Sequence, residues 1–185
     1  LDWYTLLIGV FTLITVTAHG ALFLAWKTEG AVHDRAAALA RPLWIATALL
    51  WVVATGGTTQ VNPGIFRGLA TSPLAWAFTA LFVGGMGWVF VNLGRGRHLA
   101  AFLGSGAFIL GILAASAASL YPVMLKSTLD PAFDLTALNA SVGAHGLRTG
   151  LVWWLIGFPL AIGYAAFLFR FHRGKVKAAA EGEGY

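Results

Sequence analysis

Five times along the chain, formal charge disappears for about the length of a membrane crossing. The runs are Trp3 to Trp26, Pro42 to about Gly57, Pro73 to Leu93, Leu99 to Leu120 and Thr149 to Phe169. A spanning helix needs about 20 predominantly apolar residues, with a range of ~17–25. The second run is the shortest. It reaches that length if Arg41 snorkels at one end and Thr58 to Val61 extend it at the other. Pro159 falls inside the fifth run and is expected to kink it. Hydrophobic residues make up 58% of the 185, charged residues 10%, and the mean hydropathy is +0.77. A soluble domain carries about 25% charged residues, so this chain cannot cover a soluble surface. Its hydrophobicity equally excludes disorder as its general state. The expectation is an all-α, polytopic transmembrane bundle of about five spanning helices over residues 1–177, followed by a disordered tail at 178–185.

The charges say how such a bundle sits. Net charge is +5, yet the twelve Lys and Arg lie between the apolar runs rather than along one face, so nucleic acid is not the expected partner. If all five runs span, nine basic residues share one side: Lys27, Arg35, Arg41, Arg95, Arg97, Arg170, Arg173, Lys175 and Lys177. Arg67, Lys126 and Arg148 fall on the other. The positive-inside rule then places the N-terminus outside and the C-terminus in the cytoplasm. Trp3, Trp26 and Trp76 near run ends fit interfacial belts.

Small residues recur at helical spacing. Ala107, Gly111, Ala115 and Ser119 form one stripe on the fourth run, Gly157, Ala161 and Ala165 another on the fifth, and Ala80 and Gly84 begin a third. Such faces let helix backbones approach closely in lipid. Between the runs, Glu29 to Arg41 reads as a short cytoplasmic helix in which Glu29 and His33 can pair. The segment Pro122 to Gly146 is the longest connector. Asp130-Pro131 reads there as a turn, and Asp134 or Thr136 as the cap of a short helix to about Ser141. Asn139-Ala140-Ser141 matches a glycosylation sequon.

Candidate chemistry is sparse. The chain has no cysteine, which excludes disulfides, zinc–thiolate sites, iron–sulfur clusters and thioether-linked haem on this chain. No carboxylate falls inside an apolar run, which counts against a self-sufficient ion-coupled carrier. Asp130, Asp134 and Asn139 match no calcium loop. Gly84-Gly85-Met86-Gly87 and Gly104-Ser105-Gly106 lack the strand that a phosphate loop requires. His19 is the ionisable residue at depth, and such residues are costly and often functional. Three readings stand: a haem ligand, a member of a proton relay, or a neutral imidazole bonded to a neighbouring helix. A six-coordinate b-type haem needs two axial ligands from facing helices at one depth. His33, His98, His145 and His172 lie at run ends or in loops and do not supply the second. A site completed by another subunit stays open.

Two stretches carry more than composition. One is Ala18-His19-Gly20-Ala21-Leu22-Phe23-Leu24-Ala25-Trp26-Lys27-Thr28-Glu29-Gly30. The other is Ser119-Leu120-Tyr121-Pro122-Val123-Met124-Leu125, followed by Ser127-Thr128, Asp130-Pro131, Leu135-Thr136 and Asn139-Ala140. In this order they resemble subunit II of the cytochrome bd-type quinol oxidases, as does the last run, Gly150 to Trp154 and Gly157 to Leu160, with its basic tail. The likeness covers essentially the whole chain, but resembles only the C-terminal half of that subunit. With Leu1 rather than Met at the start, this leads us to expect a fragment, a cleaved chain or a split subunit.

The resemblance implies a non-haem-ligating membrane subunit of a complex that oxidises quinol and reduces oxygen to water in an aerobic respiratory chain. It implies a prokaryotic cell membrane and partners: the oxidase's subunit I, the N-terminal half of subunit II and a small single-helix subunit. Haem b and haem d belong, on this likeness, to subunit I, and quinol is the substrate there. No catalytic, cofactor or metal residue carries over to this chain. His19, Gly20, Lys27, Thr28, Glu29, Gly30, Tyr121 and Pro122 mark membership, with structural roles. Ala107, Gly111, Ala115, Ser119, Gly157 and Ala161 are expected to pack helices. The rival readings are a small-solute membrane transporter and a structural subunit of another respiratory complex.

Overall fold

The computed structural model describes residues 2–176. Five long helices dominate: α1 (Trp3–Lys27), α2 (Gly30–Val61), α4 (Pro73–Gly94), α5 (His98–Leu120) and α6 (Ala144–Phe171), with a short α3 (Gly64–Thr71) between α2 and α4. All five long helices have the length and apolarity of membrane spans. The described residues divide into two compact units, 2–120 with 175–176, and 121–174. The tail at 178–185 lies outside the described residues.

Local chemistry sets the ends. Asp2 caps α1, its carboxylate accepting from the Thr5 amide at 2.7 Å. Ser72 caps α4 by accepting from the Ala75 amide at 3.2 Å, and Pro73 occupies the first turn, where a missing N–H costs nothing. At the other end of α1, Thr28 is extended, and Gly30 opens α2 at φ +65°, a conformation that favours glycine.

In the first unit, α1 lies along α2 and α4 along α5, while α1 and α3 also meet α5. Its core joins Phe11, Ala18, Leu22, Trp44, Phe82, Val89 and Phe108. Trp44 and Phe108 are fully buried, their rings edge to face at 5.5 Å. Around this thin core the surface is apolar: Leu113 is 66% exposed and Leu49 64%. In water such a surface would aggregate; in hydrocarbon it is the ordinary exterior of a spanning helix.

The α4–α5 contact rests on small residues. Gly111, Ala115 and Ser119 are buried on α5 and Ala107 half-buried. A Cβ on Gly111 would stand 2.6 Å from the Phe82 nitrogen, and one on Gly85 2.7 Å from the Gly104 oxygen, so the backbones touch directly there. Likewise a Cβ on Gly68 of α3 would collide with the Ser119 carbonyl.

The structure corrects four expectations. The segment Glu29 to Arg41 is no separate helix: it runs through Pro42 into α2, one helix of 32 residues. Alanine at 36–38 and 40 favours continuity, and at 1.5 Å per residue such a helix exceeds the ~30 Å hydrocarbon core, so its charged start projects beyond it. Ala80 and Gly84 lie exposed, because the packed face of α4 is Ala75, Phe82, Gly85, Val89 and Asn92. Glu29 is not the partner found for His33, which bonds instead to the Ala25 carbonyl at 2.7 Å. No helix leads to Ser141: Val123–Leu125 (β1) pairs antiparallel with Leu135–Thr136 (β2) around a 3₁₀ turn at Pro131–Phe133. Asp130 accepts from the Ala132 amide and Asp134 from the Ser127 amide, while Thr136 Oγ1 accepts from the Asn139 amide in a single turn that goes no further.

The second unit consists of this hairpin and α6. Tyr121-Pro122 is cis, and the Pro122 carbonyl accepts from the Ala137 amide at 2.8 Å. Asn139 ties the hairpin, donating to the Asp134 carbonyl and accepting from the Thr136 amide. Within its unit α6 buries none of its side chains, and Gly157, Ala161 and Ala165 lie exposed. Pro159 sits inside this helix.

Candidate functional site

His19 stands on α1 facing α5. Its Nδ1 lies 2.6 Å from Ser105 Oγ, and its ring stacks on Phe102 at 4.6 Å with the planes 25° apart. Phe102 also meets Phe23 and Trp26, each at 5.6 Å between ring centres. The imidazole is half-buried at the α1–α5 contact, stacked on the ring that Phe23 and Trp26 also meet. Ser105 is fully buried and also hydrogen-bonds the Phe102 carbonyl at 2.6 Å. Of the three readings of His19, the geometry supplies the bond to a neighbouring helix. Ser105 was not foreseen as its partner; the available signal was a hydroxyl inside an apolar run.

Gly20 follows with open space around its α-carbon. About two turns further on, Lys27 to Gly30 form the joint between α1 and α2. Lys27 Nζ lies 5.0 Å from the centre of the Trp26 ring, and Thr28 Oγ1 donates to the Leu24 carbonyl at 2.7 Å. Val176 returns along this joint: its amide donates to the Lys27 carbonyl at 2.7 Å, and its carbonyl accepts from the Glu29 amide at 3.2 Å. The Lys27 carbonyl and the Glu29 amide thus clasp Val176 on either side of Thr28. Beside it His33 and His98 meet edge to face at 5.1 Å. His98 Nδ1 is buried without a hydrogen-bond partner among the described residues, as are Trp44 Nε1 and Thr47 Oγ1.

His33 and His98 do not fit a haem held between them. Axial imidazoles must face one another across a porphyrin, and these two touch ring to ring, which leaves no room for one. Among the described residues no three His, Asp or Glu gather as a metal-ligand set. Tyr121 and Pro122 lie in the second unit, at the start of its hairpin.

Comparison with known proteins gives the arrangement its context. The chain is 28% identical over 173 residues to the cytochrome bd ubiquinol oxidase subunit 2 of Bacillus subtilis (strain 168), covering 90% of this chain and 49% of that protein. It is 23% identical over 205 residues to a probable cytochrome oxidase subunit 2 of Haemophilus influenzae, covering 96% of this chain and 54% of that one. The chain thus spans about half the length of the curated relatives it matches. The profile of the family described as cytochrome bd terminal oxidase subunit II matches residues 1–172. With five apolar helices of spanning length, this is a multi-pass protein of the prokaryotic cell membrane, and the chain belongs to the cytochrome bd terminal oxidase subunit II family.

Proposed function

We propose that the chain is a non-haem-ligating membrane subunit of a quinol-oxidising, oxygen-reducing terminal oxidase, packing beside and stabilising a haem-bearing subunit I. The observation that carries this reading is the family match over residues 1–172. The contact of His33 with His98 supports it, since no porphyrin fits between the two rings. On this reading haem b and haem d are held by the partner, quinol is oxidised there, and the remainder of subunit II and a small single-helix subunit complete the complex.

Within it, the roles of this chain's residues are structural. Ala107, Gly111, Ala115 and Ser119 hold the first unit together, and the exposed stripe of Gly157 and Ala161 on α6 offers a close-packing face to another helix. The transmembrane part on this reading is residues 1–177, with the N-terminus outside and the basic C-terminal side in the cytoplasm, as the charge distribution favours. His19, Gly20, Lys27, Thr28, Glu29, Gly30, Tyr121 and Pro122 shape helix contacts and joints rather than react.

The experiment is deletion of this chain in its host, with quinol-driven oxygen uptake measured in isolated membranes. The expected result is loss of the uptake due to this oxidase, restored by re-expressing the chain. Uptake and haem d absorbance that persist unchanged without the chain would overturn the reading.

A further inference from the structure

We propose that the core of the first unit encloses a water molecule, held by Trp44 and Thr47 of α2 and Thr15 of α1, which bonds the two helices together. Trp44 and Thr47 are fully buried, yet Trp44 Nε1 and Thr47 Oγ1 have no hydrogen-bond partner among the described residues. Three residues apart on one helix, they share a face. Enclosed by this chain, they lie out of reach of lipid and of any neighbouring subunit. A buried N–H or O–H left unpaired is costly, most of all within a membrane. What satisfies these two is therefore small, polar and inside. An indole N–H can only donate, so Trp44 needs an acceptor, which a water oxygen supplies.

The hydroxyl of Thr47 is uncommitted. Thr12, Thr15, Thr17, Thr55 and Thr58 of the same two helices each donate to the carbonyl four residues before, at 2.7–2.8 Å. Thr47 makes no such bond, which leaves its proton for another acceptor. Thr15 supplies the third partner. Tyr4 bonds Thr58 at 2.8 Å near one end of the α1–α2 pair, and His33 bonds the Ala25 carbonyl near the other. Between these ties the antiparallel register brings buried Thr15 to the level of Trp44 and Thr47. Its proton goes to the Phe11 carbonyl at 2.7 Å, so its oxygen keeps a lone pair to accept. The water then accepts from Trp44 Nε1–H and from the Thr47 hydroxyl, and donates to Thr15 Oγ1. About three bonds is the usual complement of an enclosed water. Ala18 and Ala40, a turn away on the same core faces, are fully buried too, so short side chains line the contact there.

Membrane helices have no hydrophobic drive to associate, and a hydrogen-bonded bridge of this kind adds to their packing. The inference concerns this chain alone and does not depend on the proposed function. Its test is X-ray hydroxyl-radical footprinting of the full chain in mild detergent, with oxidation read at each residue by mass spectrometry. Radicals arise from a bound water where it sits, so a fully buried tryptophan is oxidised only if one touches it. Expected is oxidation of Trp44 in the wild type. Thr47→Val and Thr15→Val keep each side chain's shape and delete its hydroxyl. Each should lower that oxidation several-fold, whereas Thr47→Ser should retain it. Thermal unfolding gives an independent sign. Deleting a hydroxyl that bonds a water is destabilising, so Thr47→Val should lower the unfolding midpoint by about 2–4 °C. Deleting an orphan hydroxyl would leave the midpoint level or raise it.

Three results would each overturn the proposal: an unmodified Trp44 in the wild type, oxidation unchanged by Thr47→Val or Thr15→Val, or a midpoint that Thr47→Val leaves level or raises. The wild-type reading stands by itself if a variant fails to fold.

Discussion

A Cβ on Gly111 would lie 2.6 Å from a backbone nitrogen of α4, whereas Gly84 and Gly87 have nothing within 4 Å. Space around these glycines therefore separates contact from filler. Gly85→Ala and Gly111→Ala should each destabilise the chain by about 1–3 kcal/mol, the cost of overpacking. Gly84→Ala and Gly87→Ala should stay within ~0.5 kcal/mol. Thermal unfolding in detergent, followed by helical circular dichroism, distinguishes the two pairs; equal losses would contradict the packing described. Asp2 belongs to the same scale. The Thr5 amide, then the Thr5 hydroxyl, holds its carboxyl below the ordinary aspartate value. A lowered folded value means that the cap contributes above the unfolded value and is lost as pH falls through the folded one. Exchange of the Thr5 amide should therefore accelerate on acidification through that window, and Asp2→Asn should abolish this dependence. His19 was legible from sequence because an ionisable group stands out in an apolar run. Ser105 was not, since nothing local says which hydroxyl a distant helix will present.

At the scale of elements, the five spans were legible because each is a long run without charge, and α4 and α5 end within a residue of expectation. The misses have physical causes. Continuity of α2 through Pro42 depends on a charged, alanine-rich start that shows no apolar signal. The β1–β2 pairing joins residues 13 apart at Val123 and Thr136, and its register is set by contacts that local pattern does not encode. The α1–α2 joint is the element most open to test. Val176→Pro removes the N–H donated to the Lys27 carbonyl, and amide exchange at Glu29 should speed up while α4 and α5 stay unchanged. Gly30→Ala, forced to φ +65°, should cost about 1–2 kcal/mol. Insensitivity of both variants would mean that the joint is held elsewhere.

At the scale of the molecule, the chain carries more apolar surface than its own core consumes: α6 buries no side chain within its unit, and Leu13 and Leu113 of the first unit stand open. Lipid accounts for part of that surface, and the stripe of small residues on α6 suits another protein helix better than acyl chains. This accords with a chain spanning about half the length of its relatives and with the proposed place inside a larger assembly. The central claim is that the haems belong to the partner. Its most direct test is the reduced-minus-oxidised visible spectrum of the chain purified alone and of the chain purified with its co-eluting subunit, each normalised to this chain. The account predicts b- and d-type bands with the partner and none from the chain alone. A haem band from the isolated chain, or a haem-free chain that never co-elutes with a larger subunit, would contradict it.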